Sequence, residues 1–171
     1  MLRMLQGTVL LAFSALSVAA STGIPDEIKV PAGQKLVLKA HATGFQIYTC
    51  KADGDHAQWE LKAPDADLHD RKGAVIGHHF AGPTWKHKDG SEVTGKASAH
   101  VDSPDADSIP WLLVAATGHT GEGVFAQVSS IQRINTKGGK PPAGTECTAA
   151  NNGAESKRSY SADYYFYGPA K

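Results

Sequence analysis

The sequence predicts an all-β protein, a single antiparallel β-sandwich or β-barrel domain with long loops and one disulfide. Three observations point there. Apolar residues alternate with polar ones through most of the chain, and no stretch of ten residues carries a helical stripe. Turn-forming pairs punctuate the alternation, among them Asp89-Gly90, Gly138-Gly139 and Asn152-Gly153. Cys50 and Cys147 are the only two cysteines, and in an exported chain such a pair is most simply a disulfide. The closed loop would hold about 98 residues, for which the chain-entropy model assigns about 4–5 kcal/mol less any native strain. No Cys-x-x-Cys spacing favours a metal or redox pair instead.

Residues 1–20 read as a secretory signal. Arg3 gives the positive start, Thr8 to Val18 the apolar stretch, and Ala19-Ala20 the small residues before Ser21. The stretch is shorter than the roughly 20 residues that span a bilayer, and no later segment is long or apolar enough to do so. Residues 21–171 are then expected as one exported domain, periplasmic or extracellular, with no membrane insertion. Seventeen basic residues balance seventeen acidic ones, and loss of Arg3 with the leader leaves one net negative charge. Such a balance gives nucleic acid nothing to bind. Oligomeric state has no signal here.

Along the mature chain, Lys35–Ala40 is a strand with Leu36, Leu38 and Ala40 on one face, and Phe45–Thr49 is another. His56–Lys62 sets Ala57, Trp59 and Leu61 against His56, Gln58, Glu60 and Lys62. Asp65-Ala66-Asp67-Leu68 is the best candidate for a single helical turn. Lys88-Asp89-Gly90 suits a three-residue hairpin loop with Gly90 left-handed. That register pairs Lys86 with Glu92, Trp85 with Val93 and Thr84 with Thr94, so apolar meets apolar and opposite charges meet. Ile109–Ala115 reads as a strand covered on both faces. Val124–Ile134 continues the alternation, and Tyr160, Ala162, Tyr164 and Phe166 share one face of a last strand. Ser103–Ser108 and Thr136–Ser156 are irregular, the second pinned by Cys147.

Four segments carry a resemblance: Gly44–Cys50, the His78–Trp85 run with Asp89-Gly90-Ser91 after it, Ile109–Leu113, and Ile131–Gly139. Together they resemble a family of exported bacterial and fungal proteins catalogued as domain of unknown function 3455. The resemblance covers essentially the whole mature chain and implies a signal-led, single-domain protein. It supplies no catalytic residue to carry over. The malate dehydrogenase label borne by some fungal members does not transfer, because this chain has neither a Gly-x-Gly-x-x-Gly turn nor a parallel βαβ pattern to hold a nicotinamide cofactor.

The richest candidate site is Val75–Trp85, which gathers two adjacent imidazoles, two glycines, a proline and a tryptophan. The leading expectation is a non-catalytic domain that binds a small molecule, glycan or envelope partner. His78, His79, Trp85 and His87 would form the site, with Tyr165 and Tyr167 on the polar face of the last strand. No cofactor is expected. The alternative is a copper or zinc protein with redox or hydrolytic activity, drawing ligands from His78, His79 and His87, and from His41 or His100. His78 and His79 are neighbours on a strand, so only one can join His87. The third expectation is a structural envelope protein. On the blander side, His87 packs beside Trp85, His78 bonds a loop carbonyl, and Trp59 and Trp111 are core while Trp85 is at the surface. Asp65, Asp67 and Asp70 either cap a turn or flank a glycosidic bond. No Gly-x-Ser-x-Gly elbow is present.

Overall fold

A computed structural model describes residues 23–54 and 56–170. The signal read in residues 1–20 lies outside the described residues. Eight strands follow one another: β1 Gln34–Asp53, β2 His56–His69, β3 Val75–Phe80, β4 Thr84–His87, β5 Glu92–Val101, β6 Trp111–Thr120, β7 Ser130–Gly138 and β8 Glu155–Pro169. Each pairs antiparallel with the next, and β1 also pairs with β8, so the sheet closes into an up-and-down barrel. Closure removes the sheet edges that would otherwise invite other chains.

Side chains alternate inward and outward along every strand. Tyr160, Ala162, Tyr164 and Phe166 of β8 face in, each at most 5% exposed, as the alternation predicted. Small inward residues on β1 and β8 (Ala40, Ala42, Gly44, Ala162) leave room for Trp85, Tyr164 and Phe166 in the interior. A Cβ on Gly44 would lie 2.2 Å from the Asp65 carbonyl oxygen, so β1 and β2 approach there as only glycine permits.

The hairpin forms in the predicted register: Thr84 opposes Thr94, Trp85 opposes Val93, and Lys86 opposes Glu92 with their charged ends 2.7 Å apart. Gly90 sits at φ 92° in its turn. Cys50 and Cys147, 97 positions apart, are joined by a disulfide that ties the far end of β1 to the β7–β8 loop. Backbone bonds from Cys50 to Ala154 and from Gly153 to Cys50, both 2.8 Å, hold that loop beside the bridge.

Four expectations change. Lys35–Ala40 and Phe45–Thr49 are parts of one strand, and a bulge between Leu36 and Leu38 turns Leu36 out to 43% exposure. The Asp65–Leu68 segment is strand, not a helical turn: Ala66 and Leu68 face in, while Asp65 and Asp67 face out. The alternation in Val124–Ile134 is not one strand, because β7 starts at Ser130. Its first part belongs to a loop whose Phe125 and Val128 are fully buried and plug one end of the barrel. Finally, β6 is not covered on both faces, since of Trp111–Ala115 only Val114 is buried.

Candidate ligand site in the barrel lumen

The β1–β2, β3–β4, β5–β6 and β7–β8 connections gather at the end of the barrel away from the Phe125 plug. There the lumen opens as a cavity of about 660 Å³. All eight strands line it: Gln46 from β1, Leu61 and Pro64 from β2, His79 from β3, Trp85 from β4, Ala97 from β5, Leu112 and Val114 from β6, Arg133 from β7 and Tyr164 from β8. Its volume falls within the range of small-molecule pockets, about 300–1,000 Å³.

An aromatic cluster forms the floor. His79 stacks on Trp85 with ring centroids 4.3 Å apart and planes 5° from parallel. Tyr164 meets both rings edge-on, at 5.2 and 5.7 Å. His79 Nδ1 lies 2.8 Å from the Thr84 carbonyl oxygen, which can only accept, so Nδ1 carries the proton. Burial pushes the imidazole pKa down to about 3, against the pull of the Thr84 bond, and the ring is neutral at physiological pH.

Trp85 Nε1 is buried with no hydrogen-bond partner among the described residues, as are Trp59 Nε1 and Trp111 Nε1 away from the lumen. Gln46 Nε2 and the Tyr164 hydroxyl make no bond of good geometry, but both neighbour the Tyr160 hydroxyl closely enough to act on it as hydrogen-bonding groups. Arg133 reaches the lumen from β7, opposite Tyr164 on one side and Leu112 on the other. Its Nε and Nη2 both donate to the Pro110 carbonyl oxygen, at 3.2 and 2.9 Å. The guanidinium charge acts on the interior: burial raises the pKa of Tyr48 and Tyr160, and Arg133 opposes that rise in both. Lys62 and Lys96 complete the lining, which contains no aspartate or glutamate.

The residues singled out from sequence fall in different places. His79 and Trp85 come together in the lumen, and Trp85, only 2% exposed, is buried rather than at the outer surface. His78 points outward, its Nε2 3.0 Å from Asp65 and its Nδ1 3.1 Å from Asp67, so it bonds two carboxylates and not a loop carbonyl. The carbonyl bond belongs to His79. His87 lies at the plugged end, edge-on to Phe125 at 5.7 Å and 3.0 Å from Asp89, so the ring beside Trp85 is His79 and not His87. Asp70 accepts from Lys72 N and Ala74 N, capping the β2–β3 turn.

Tyr165 and Tyr167 lie on the outer face. Lys39 sits over the Tyr165 ring, and the Tyr167 hydroxyl donates to Gln132, whose amide in turn donates to the Ile28 carbonyl. Trp59 and Trp111 are half-buried and not core. Among the described residues, no three His, Cys, Asp or Glu side chains are arranged to hold a metal ion. No helix among them is long and apolar enough to cross a membrane.

Sequence reasoning missed Gln46 and Arg133 and placed Tyr164 on one face of the last strand without assigning it to a site. A signal was present. Gln46 continues the inward phase of Ala40, Ala42 and Gly44, and Arg133 continues that of Ile131, so each is a polar residue in an apolar register.

Residues 31–168 match the model of a family described as Protein of unknown function (DUF3455). No curated protein and no solved structure gives a significant match to this chain.

Proposed function

We propose that this chain, which belongs to the DUF3455 family, serves to bind one small organic molecule in the open end of its barrel, without catalysing a reaction. One observation carries the reading: an open cavity of about 660 Å³ is lined from all eight strands, with apolar side chains gathered around the Arg133 guanidinium, whose only bonds go to one backbone carbonyl. Eight-stranded barrels have an interior just large enough to be filled by side chains or to hold one small ligand, and here one end is filled and the other open. Leu61, Pro64, Leu112 and Val114 supply apolar contact for the body of the ligand.

The lining contains no serine, cysteine or carboxylate, its Thr117 hydroxyl bonds that of Thr94 and no base, and burial holds its one histidine at a pKa of about 3, too low for a general base. That composition supports binding over nucleophilic or acid–base chemistry. The role needs no cofactor. The leader-like start and the disulfide support export to an oxidising compartment, periplasmic or extracellular.

The test is a thermal-shift screen of small organic molecules against the protein purified after export. Molecules that raise Tm should lose that effect in Ala97→Trp. Ala97 is an exposed residue on the inner face opposite Val114, where an indole would fill the mouth without entering the core. Failure of every molecule to bind, or binding undiminished in Ala97→Trp, would overturn the reading.

A further inference from the structure

Resting on that lumen reading, we infer that the bound molecule is an organic anion, a carboxylate on an apolar body, with its head group seated at Arg133. The charge of the wall is one-sided. Arg133, Lys62 and Lys96 line the cavity with no aspartate or glutamate among them. Lys62 is matched by Glu155 at the rim. Arg133 makes no ion pair among the described residues, and its only bonds go to one neutral carbonyl, that of Pro110.

The Arg133 Nη1 makes no bond among the described residues and keeps its donors for a ligand. A cation with open donors fits a group that only accepts. An ionised carboxylate has about four lone-pair sites, and its hydrogen bonds to cationic donors are roughly twice as strong as neutral ones. A ligand ammonium would meet Arg133 with like charge, and a neutral alcohol would leave the guanidinium without a counter-charge.

The position of Arg133 is fixed in advance. β7 sets it directly across from Tyr164, and the Pro110 carbonyl holds Nε and Nη2 together while Nη1 keeps its donors. A planar guanidinium held in this way loses little freedom when it meets a carboxylate. The apolar residues Leu61, Pro64, Leu112 and Val114 then face the remainder of the molecule.

Calorimetric titration with naphthoate and octanoate, each beside its matched alcohol and its matched primary amine, tests the assignment. Carboxylates should bind about tenfold or more tighter than the alcohols, equal to about 1.4 kcal/mol, and the amines should bind weakest. Arg133→Gln should bring the carboxylates down to the level of the alcohols, and Arg133→Lys should restore part of the preference. A residue that served only to tie the Pro110 loop would alter all three classes alike. Equal binding of carboxylate and alcohol, both abolished in Ala97→Trp, would overturn the anion assignment and leave the lumen reading standing. Preference for the amine would also overturn it. If no probe binds, the anion assignment falls, and the broader reading is decided by the thermal-shift screen.

Discussion

The His79 imidazole lies flat on the Trp85 indole, 4.3 Å between centroids, and both face a lumen that contains no carboxylate. Nothing there can compensate a proton on the ring, so burial holds it neutral, with a pKa of about 3 against 6.5 in the unfolded chain. Because the folded value is the lower one, the stabilisation is complete above pH 6.5 and is lost as pH falls toward 3. By pH 4.5 the loss should reach about 2–3 kcal/mol. His79→Asn keeps a donor toward the Thr84 carbonyl but does not titrate. Urea midpoints measured between pH 4.5 and 7 should therefore slope less in His79→Asn than in the parent protein. Equal slopes would place the acid sensitivity elsewhere.

Asp89 in the β4–β5 turn clasps the plug. Its Oδ1 accepts from Ser91 N and Oγ at 2.9 and 2.6 Å, its Oδ2 accepts from Val124 N at 2.9 Å, and Ser91 Oγ in turn accepts from Phe125 N. The Ser91 hydroxyl bond first, and then the backbone donors, hold the carboxyl well below the usual carboxylate range. Asp89→Ala should cost about 2–3 kcal/mol and speed hydrogen exchange at the Val124 and Phe125 amides. Asp89→Asn, which keeps an acceptor, should cost less. Unchanged exchange at those two amides would show that the plug is held by packing alone.

The disulfide joins β1 to a loop that lines no part of the lumen cavity. Cys50→Ser combined with Cys147→Ser should lower stability by about 2–5 kcal/mol and quicken exchange across residues 139–154. Ligand affinity, measured well below the lowered Tm, should hold. Affinity lost together with the bridge would mean that the loop shapes the site.

Local rules carried much of the fold. The Asp89-Gly90 turn and the charges on Lys86 and Glu92 were enough to register the β4–β5 hairpin, and the alternation Tyr160 to Phe166 named the inner face of β8. Phase shifts escaped the same rules, because a bulge adds one residue without a sequence mark of its own; Leu36 shows the result, an apolar side chain turned outward. Phe125 and Val128 looked like strand residues because burial beneath a barrel end rewards apolar side chains as a strand face does. Asp65 and Asp67 suggested a capped turn, yet each is an outward strand position facing His78. The lumen was least legible. Gln46, Trp85, Arg133 and Tyr164 lie far apart in the chain and meet only because β8 returns to β1, and closure is a property of the whole sheet.

The most direct test of the lumen site is the indole region of a ¹⁵N-labelled NMR spectrum. The protein has three tryptophans, so three Nε1–H signals can be assigned by single Trp→Phe replacements. On titration with a carboxylate probe, the Trp85 signal should move and saturate as the probe fills the cavity beside its ring, while those of Trp59 and Trp111, which do not line the cavity, stay in place. A probe that binds with the Trp85 signal unmoved, or that shifts Trp59 or Trp111 instead, would contradict binding in the barrel lumen.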